Sequence, residues 1–227
     1  MRQATAEAEP EEVEEGSGNW TGRVRALVER DLSFDHLLPT TQPIYVRSVV
    51  YSFGAMTLGA LLVLIVSGVI LAANGPGWWA PPGVGAFFRA IHYWGAQAFF
   101  FFMVLHMTAQ FFMGSWRYGR AATWVVGAVS FGVATIEGFT GYLSRGDFFS
   151  QWNQVQSKDA FNASGIGAWL DVLNNGQIYG LHIAVIAPIL ILLVGVHLLM
   201  VRRKGVVPPY TGKIRPLTTA AKRGDSK

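Results

Sequence analysis

Four apolar stretches, roughly residues 46–73, 87–113, 123–143 and 179–201, dominate a chain of 227 residues. Each has the ~20 residues needed to cross the hydrocarbon core of a bilayer. That core holds no water to bond the backbone, so such segments must be helices that close their own hydrogen bonds. The fold class expected is an all-α membrane protein, a four-transmembrane-helix bundle. The first stretch is too long and too far from the N-terminus for a cleaved signal, and its acidic forerunner is wrong for one. A composition 51% hydrophobic and 14% charged fits burial in lipid. Cysteine is absent, which excludes a disulfide, an iron–sulfur cluster or a thioether-linked cofactor held by this chain.

Arginine and lysine set the orientation. Arg23, Arg25, Arg30 and Arg47 precede the first stretch, Arg117 and Arg120 lie between the second and third, and Arg202, Arg203 and Lys204 follow the fourth. The first link carries Arg89 alone, and the longer segment after the third stretch only Arg145 and Lys158. The positive-inside rule therefore expects both termini in the cytoplasm. The net charge of +4 comes from these flanks and points to anionic lipid, not nucleic acid. Residues 1–19 read as a disordered acidic tail. Residues 20–43 read as a cytoplasmic interfacial segment, 44–209 as the helical domain and 210–227 as a basic cytoplasmic tail. The segment 144–177 mixes apolar residues with Asn and Gly, suggesting short interfacial helices on the outer side.

Histidines punctuate two of the apolar stretches. His92 and His106 are fourteen residues apart in the second, His182 and His197 fifteen apart in the fourth. On an α-helix fourteen residues advance about 21 Å and end within roughly 40° of the starting face; fifteen end about 60° away. Both stretches run from outside to inside, so His92 and His182 share an outer level and His106 and His197 an inner one. Ionisable groups in lipid are rare and costly, and four in matched pairs call for a partner. Neutral imidazole is a good iron ligand, and a haem between two helices would take one from each. Zinc fits poorly, because each level offers two ligands and no cysteine or convergent carboxylate.

The other two stretches carry glycines at the same interval: Gly54 and Gly68 in the first, Gly127 and Gly141 in the third. Glycine allows close backbone approach, and here it is expected to make room for the edge of a haem. The arrangement expected is a bundle enclosing two stacked b-type haems.

On these four histidines and four glycines, together with "RAIHYW", "RAATWVVG", "GFTGY" and "HLLMVRRKGVVPP", residues 44–209 resemble the N-terminal, haem-bearing part of cytochrome b from quinol-oxidising cytochrome bc complexes. The short split form, similar to the chloroplast-type cytochrome b, is the best match. The resemblance implies non-covalent binding of two b haems, a low-potential one on His92 and His182 and a high-potential one on His106 and His197. It also implies that Arg89 and Arg120 pair with haem propionates, where a cation near headgroup level is chemically apt; arginines snorkelling from helix ends are the plainer reading. Implied too are quinol and quinone as reactants, with a subunit carrying the C-terminal cytochrome b helices, a Rieske iron–sulfur protein and a c-type cytochrome as partners. The complex would be a homodimer in a prokaryotic cell membrane.

Departures from the pattern are informative. Tyr93 stands where relatives often have a basic residue after the first histidine. "TGY" is followed by Leu143-Ser144-Arg145-Gly146-Asp147 in place of Leu-Pro-Trp. The Pro-Glu-Trp-Tyr quinol motif belongs to the C-terminal part of cytochrome b, so this chain alone provides no complete quinol site and no catalytic residue is assigned. Ser52 aligns with the cysteine that attaches an extra haem in chloroplast-type forms, so no covalently attached haem is expected. Glu137 is an unusual intramembrane acid, suited either to a quinol proton or to hydrogen bonds with its neighbours. His36, beside Asp35, is expected on the cytoplasmic surface. Two other readings stay open: a dihaem membrane anchor of another quinone-linked dehydrogenase or reductase, and a transporter or structural bundle with no cofactor.

Overall fold

The computed structural model describes residues 20–21 and 44–208. The acidic tail over 1–19, His36 and nearly all of the segment 20–43, Pro209 and the basic tail over 210–227 lie outside the described residues. Four long apolar helices carry the fold: α1 (Val49–Asn74), α2 (Val84–Phe112), α3 (Ala121–Leu143) and, after the shorter α4 (Phe148–Ala163), α5 (Asn175–Lys204). All but α4 are long and apolar enough to cross a membrane. No strand occurs among the described residues. The apolar runs thus become the expected multi-pass bundle.

Local chemistry sets the boundaries. α1 stops at Gly75, whose φ of 73° suits glycine, and its N–H closes the last turn on the Leu71 carbonyl. Pro76 then starts a single turn. α4 is capped by Asp147, whose side chain accepts from the Ser150 N–H at 2.9 Å. Asn174 caps α5 in the same way through the Gln177 N–H at 3.1 Å. α5 begins four residues before Tyr179, where the apolar run starts in the sequence, because this cap extends it into the polar loop.

Part of α5 is not α-helical. Leu181–Ile186 forms a π-helical turn that begins at the residue before His182. A π turn takes in one residue more than an α turn, so the fifteen-residue interval to His197 is brought back towards the phase of the fourteen-residue interval in α2. Pro188 follows in the next turn and offers no N–H where the hydrogen-bond ladder changes register.

α1 packs along α2 and α3 along α5. The two pairs meet in a central cluster of Leu61 from α1, Phe99 and Met103 from α2, Ala134 from α3 and Leu190 from α5. Leu61 is seven residues from both Gly54 and Gly68, Phe99 seven from both α2 histidines, and Ala134 seven from both Gly127 and Gly141. Two turns of helix on either side therefore lead from this cluster to the two histidine levels.

α4 folds against one end of the bundle. Gln154 is buried and donates to the Leu143 carbonyl at 3.2 Å and to Asn175 Oδ1 at 2.5 Å, tying α4 to the ends of α3 and α5. Phe148, Phe149, Trp152 and Val155 stay exposed, the apolar face expected of an interfacial helix. At the opposite end the Tyr51 hydroxyl donates to the Val207 carbonyl at 2.8 Å, joining the start of α1 to the segment after α5.

Candidate functional site

The π turn and the two helix pairs bring His92 and His182 together, one ring edge-on to the other. Their ring centroids are 6.3 Å apart, with the planes at 87°. First-row metal–imidazole bonds run about 2.0–2.1 Å, so two rings facing across one ion stand with centroids roughly 6 Å apart. His106 and His197 occupy the second level, about four helical turns away along α2 and α5. Outer and inner denote these two levels in the sense of the orientation expected from the arginines.

Each imidazole lies over one of the four glycines. A Cβ placed on Gly68 would stand 3.1 Å from His92 Cε1, and one on Gly54 3.1 Å from His106 Cε1. The same test gives 2.7 Å from Gly141 to His182 and 2.9 Å from Gly127 to His197. The glycines of α1 thus receive the histidines of α2, and those of α3 the histidines of α5. Each glycine leaves the space beside it to a histidine ring.

Hydrogen bonds orient three of the rings. His92 Nδ1 lies 2.9 Å from Ser67 Oγ, whose own proton goes to the Val63 carbonyl at 2.6 Å, so Nδ1–H donates to the hydroxyl. His182 Nδ1–H has the Glu137 carboxylate at 3.0 Å, the Glu137 carbonyl at 3.1 Å and Thr140 Oγ1 at 3.4 Å. His197 Nδ1–H donates to the Thr123 carbonyl at 3.1 Å. His106 Nδ1 is buried without a partner. A proton held on Nδ1 leaves the Nε2 lone pair for a metal, the usual tautomer of an oriented ligand. Among the described residues no group of three or more His, Cys, Asp or Glu is placed to hold a metal ion. Two paired imidazoles with free Nε2 atoms fit haem iron, whose remaining ligands come from the porphyrin.

The two arginines sit at opposite ends. The Arg89 guanidinium lies 5.8 Å from the Trp79 ring centroid. Arg120 donates to the Lys204 carbonyl at 2.7 Å while its Nε is buried without a partner, and Lys204 in turn reaches the Gly119 carbonyl. The altered segment after α3 is also built in: Arg145 pairs with Asp147 and lies 4.7 Å from the Tyr93 ring centroid and 5.6 Å from that of Tyr142. Ser52 is half-buried at the start of α1, its hydroxyl on the Val49 carbonyl.

Reading the sequence missed Ser67, Thr140 and the Thr123 carbonyl. A signal existed for the first two. Each outer glycine directly follows a hydroxyl residue, in Ser67-Gly68 and Thr140-Gly141, whereas the inner glycines follow Phe53 and Val126. The Thr123 carbonyl has no sequence signature, because any residue supplies one.

Residues 97–221 match the family model described as "Cytochrome b(N-terminal)/b6/petB". The menaquinol:cytochrome c reductase cytochrome b subunit of Geobacillus thermodenitrificans is 27% identical over 209 residues, covering 79% of this chain and 91% of the relative. Cytochrome b6 of Heliomicrobium gestii is 24% identical over 208 residues, covering 80% and 93%. A solved structure of a "Hyperthermophilic respiratory Complex III" contains a chain with the same fold, at a TM-score of 0.65 and 22% identity, covering 86% of this chain. This chain spans 57% of that one.

Proposed function

The chain belongs to the cytochrome b(N-terminal)/b6/petB family, and from that membership we propose that it is the haem-bearing cytochrome b subunit of a quinol:cytochrome c oxidoreductase. It holds two b haems non-covalently, one on His92 and His182 and one on His106 and His197. The observation that carries this reading is the outer pair, with centroids 6.3 Å apart, each ring seated on a glycine and bonded through Nδ1.

Bound haems supply one-electron transfer between two depths of the membrane, where moving a charge through the field is worth about 2.3 kcal/mol per 100 mV. The protein's part is to hold and insulate. With one imidazole from α2 and one from α5, a bound haem iron would keep no open position for oxygen and would serve electron transfer. Ser67, Glu137 and Thr123 hold three rings through Nδ1, which leaves their Nε2 lone pairs for iron. The central cluster around Leu61, Phe99 and Leu190 keeps water from between the levels. Arg89 and Arg120 provide cations for propionates at the two ends. Quinol oxidation needs the partner subunit that carries the C-terminal cytochrome b helices. A Rieske protein and a c-type cytochrome complete the assembly, a homodimer in a prokaryotic cell membrane with both termini of this chain cytoplasmic.

The Ser144–Asp147 departure favours a second reading, a dihaem anchor for another quinone-linked dehydrogenase or reductase. Isolating the intact complex and recording its reduced-minus-oxidised spectrum tests both. The expected result is b-type bands together with a co-purifying Rieske protein. A dehydrogenase or reductase in place of the Rieske protein selects the second reading, and absence of b-type bands contradicts both.

A further inference from the structure

Glu137 is the acid that the proposed function leaves unused. It lies within α3, two turns before the helix ends at Leu143, and its side chain is only 14% exposed. One carboxylate oxygen is 3.0 Å from His182 Nδ1; the other is buried with no partner. The competing acceptors are weaker. The Glu137 carbonyl, 3.1 Å from Nδ1, already accepts the Thr140 hydroxyl at 2.9 Å, and Thr140 Oγ1 is 3.4 Å from the ring. A charge-assisted bond is roughly twice as strong as a neutral one, so the Nδ1 proton goes to the carboxylate. None of the other three histidines has an acid hydrogen-bonded to Nδ1.

Resting on the haem assignment above, we propose that Glu137 is a positioning residue that lowers the reduction potential of the outer haem through its hydrogen bond to His182. Two effects act in the same direction. An anion accepting the Nδ1 proton makes Nε2 a more basic ligand, which favours ferric over ferrous iron. The buried negative charge also stabilises the form carrying one more positive charge, and a low-dielectric interior strengthens that effect. Reduction adds one electron to the iron and removes that advantage. The inner haem has neither effect, because its ligands bond a neutral carbonyl or nothing.

The test is a mediated redox titration of the isolated complex, unaltered and carrying Glu137→Gln. Glutamine keeps an oxygen of the same reach and loses the charge. The outer midpoint should rise by at least about 59 mV, the one-electron equivalent of a tenfold shift in the equilibrium, while the inner midpoint stays in place. An unchanged outer midpoint, or equal shifts of both, overturns the proposal. Should E137Q fail to assemble, E137D reads the same quantity. Its carboxylate stops one methylene short of Nδ1, so a raised outer midpoint supports the role and an unchanged one overturns it. An unaltered complex without two b-type components would instead refute the haem assignment, a separate result seen before any variant is made.

Discussion

The outer and inner levels use the same scaffold twice and finish it differently. At both, α2 and α5 each contribute one histidine, and each ring rests on a glycine of the helix packed beside it. The outer rings have side-chain acceptors at Nδ1, Ser67 on one side and the Glu137 carboxylate on the other, in addition to main-chain partners. The inner rings meet one main-chain carbonyl, that of Thr123, and nothing at His106. The histidine spacing is thus common to both levels, while the residues behind the rings set each level apart. If each level holds a haem as proposed, this difference is a physical ground for unequal potentials.

Removing a ligand should have the largest effect. His182→Ala leaves the outer iron with a single imidazole, and that haem should be lost while the inner one is largely retained; His197→Ala should do the reverse. Haem content and reduced-minus-oxidised spectra of the two isolated variants check this. Retention of two full haems in H182A would break the pairing of levels.

Crowding the glycines comes next, and it cuts across the outer–inner division. Gly141 and Gly127 on α3 would bring a Cβ within 2.7 and 2.9 Å of a ring carbon, whereas Gly68 and Gly54 on α1 leave 3.1 Å. Tightness thus follows the helix pair and not the level. Gly141→Leu and Gly68→Leu should both impair haem incorporation, at a cost of about 1–3 kcal/mol or more, and Gly141→Ala should be worse tolerated than Gly68→Ala. Gly59→Leu is the control, since a Cβ there meets nothing within 4 Å. Thermal unfolding of haem-loaded variants gives the ranking; equal tolerance at Gly59, Gly68 and Gly141 would sink the glycine argument.

A smaller effect separates the levels again. Ser67→Ala leaves His92 only its main-chain partner at Leu64, whereas His106 Nδ1 has no partner already. Loss of such an outer-shell partner typically weakens metal affinity about 10–100-fold, so the outer haem should dissociate faster than the inner one during detergent washing. Thr57→Val, which removes a hydroxyl bonded only to its own helix, should change neither rate.

Much of this was legible in the sequence because membrane burial leaves few options. Twenty apolar residues make a helix, and imidazoles fourteen apart share a face. The glycine interval was equally visible, although its neighbour proved to be a histidine ring. The π turn was hidden: on a regular helix the fifteen-residue interval left His182 and His197 about 60° apart, and nothing marked a change of helix type between them. Glu137 stood out as an acid in an apolar run, yet its partner lies forty-five positions away and depends on the turn that aims His182. Residues that act through the backbone, such as Thr123, leave no trace in side-chain identity.

Two haems held by this one polypeptide without a covalent bond is the central claim, and haem stoichiometry tests it most directly. The subunit is resolved from its complex, its haem is assayed as the pyridine derivative against protein, and a parallel sample is extracted with acid acetone. The expected result is two haems for each 24.8 kDa chain, all extracted, with a denatured band that does not stain for haem. One haem per chain, none, or haem left on the denatured polypeptide would contradict the account.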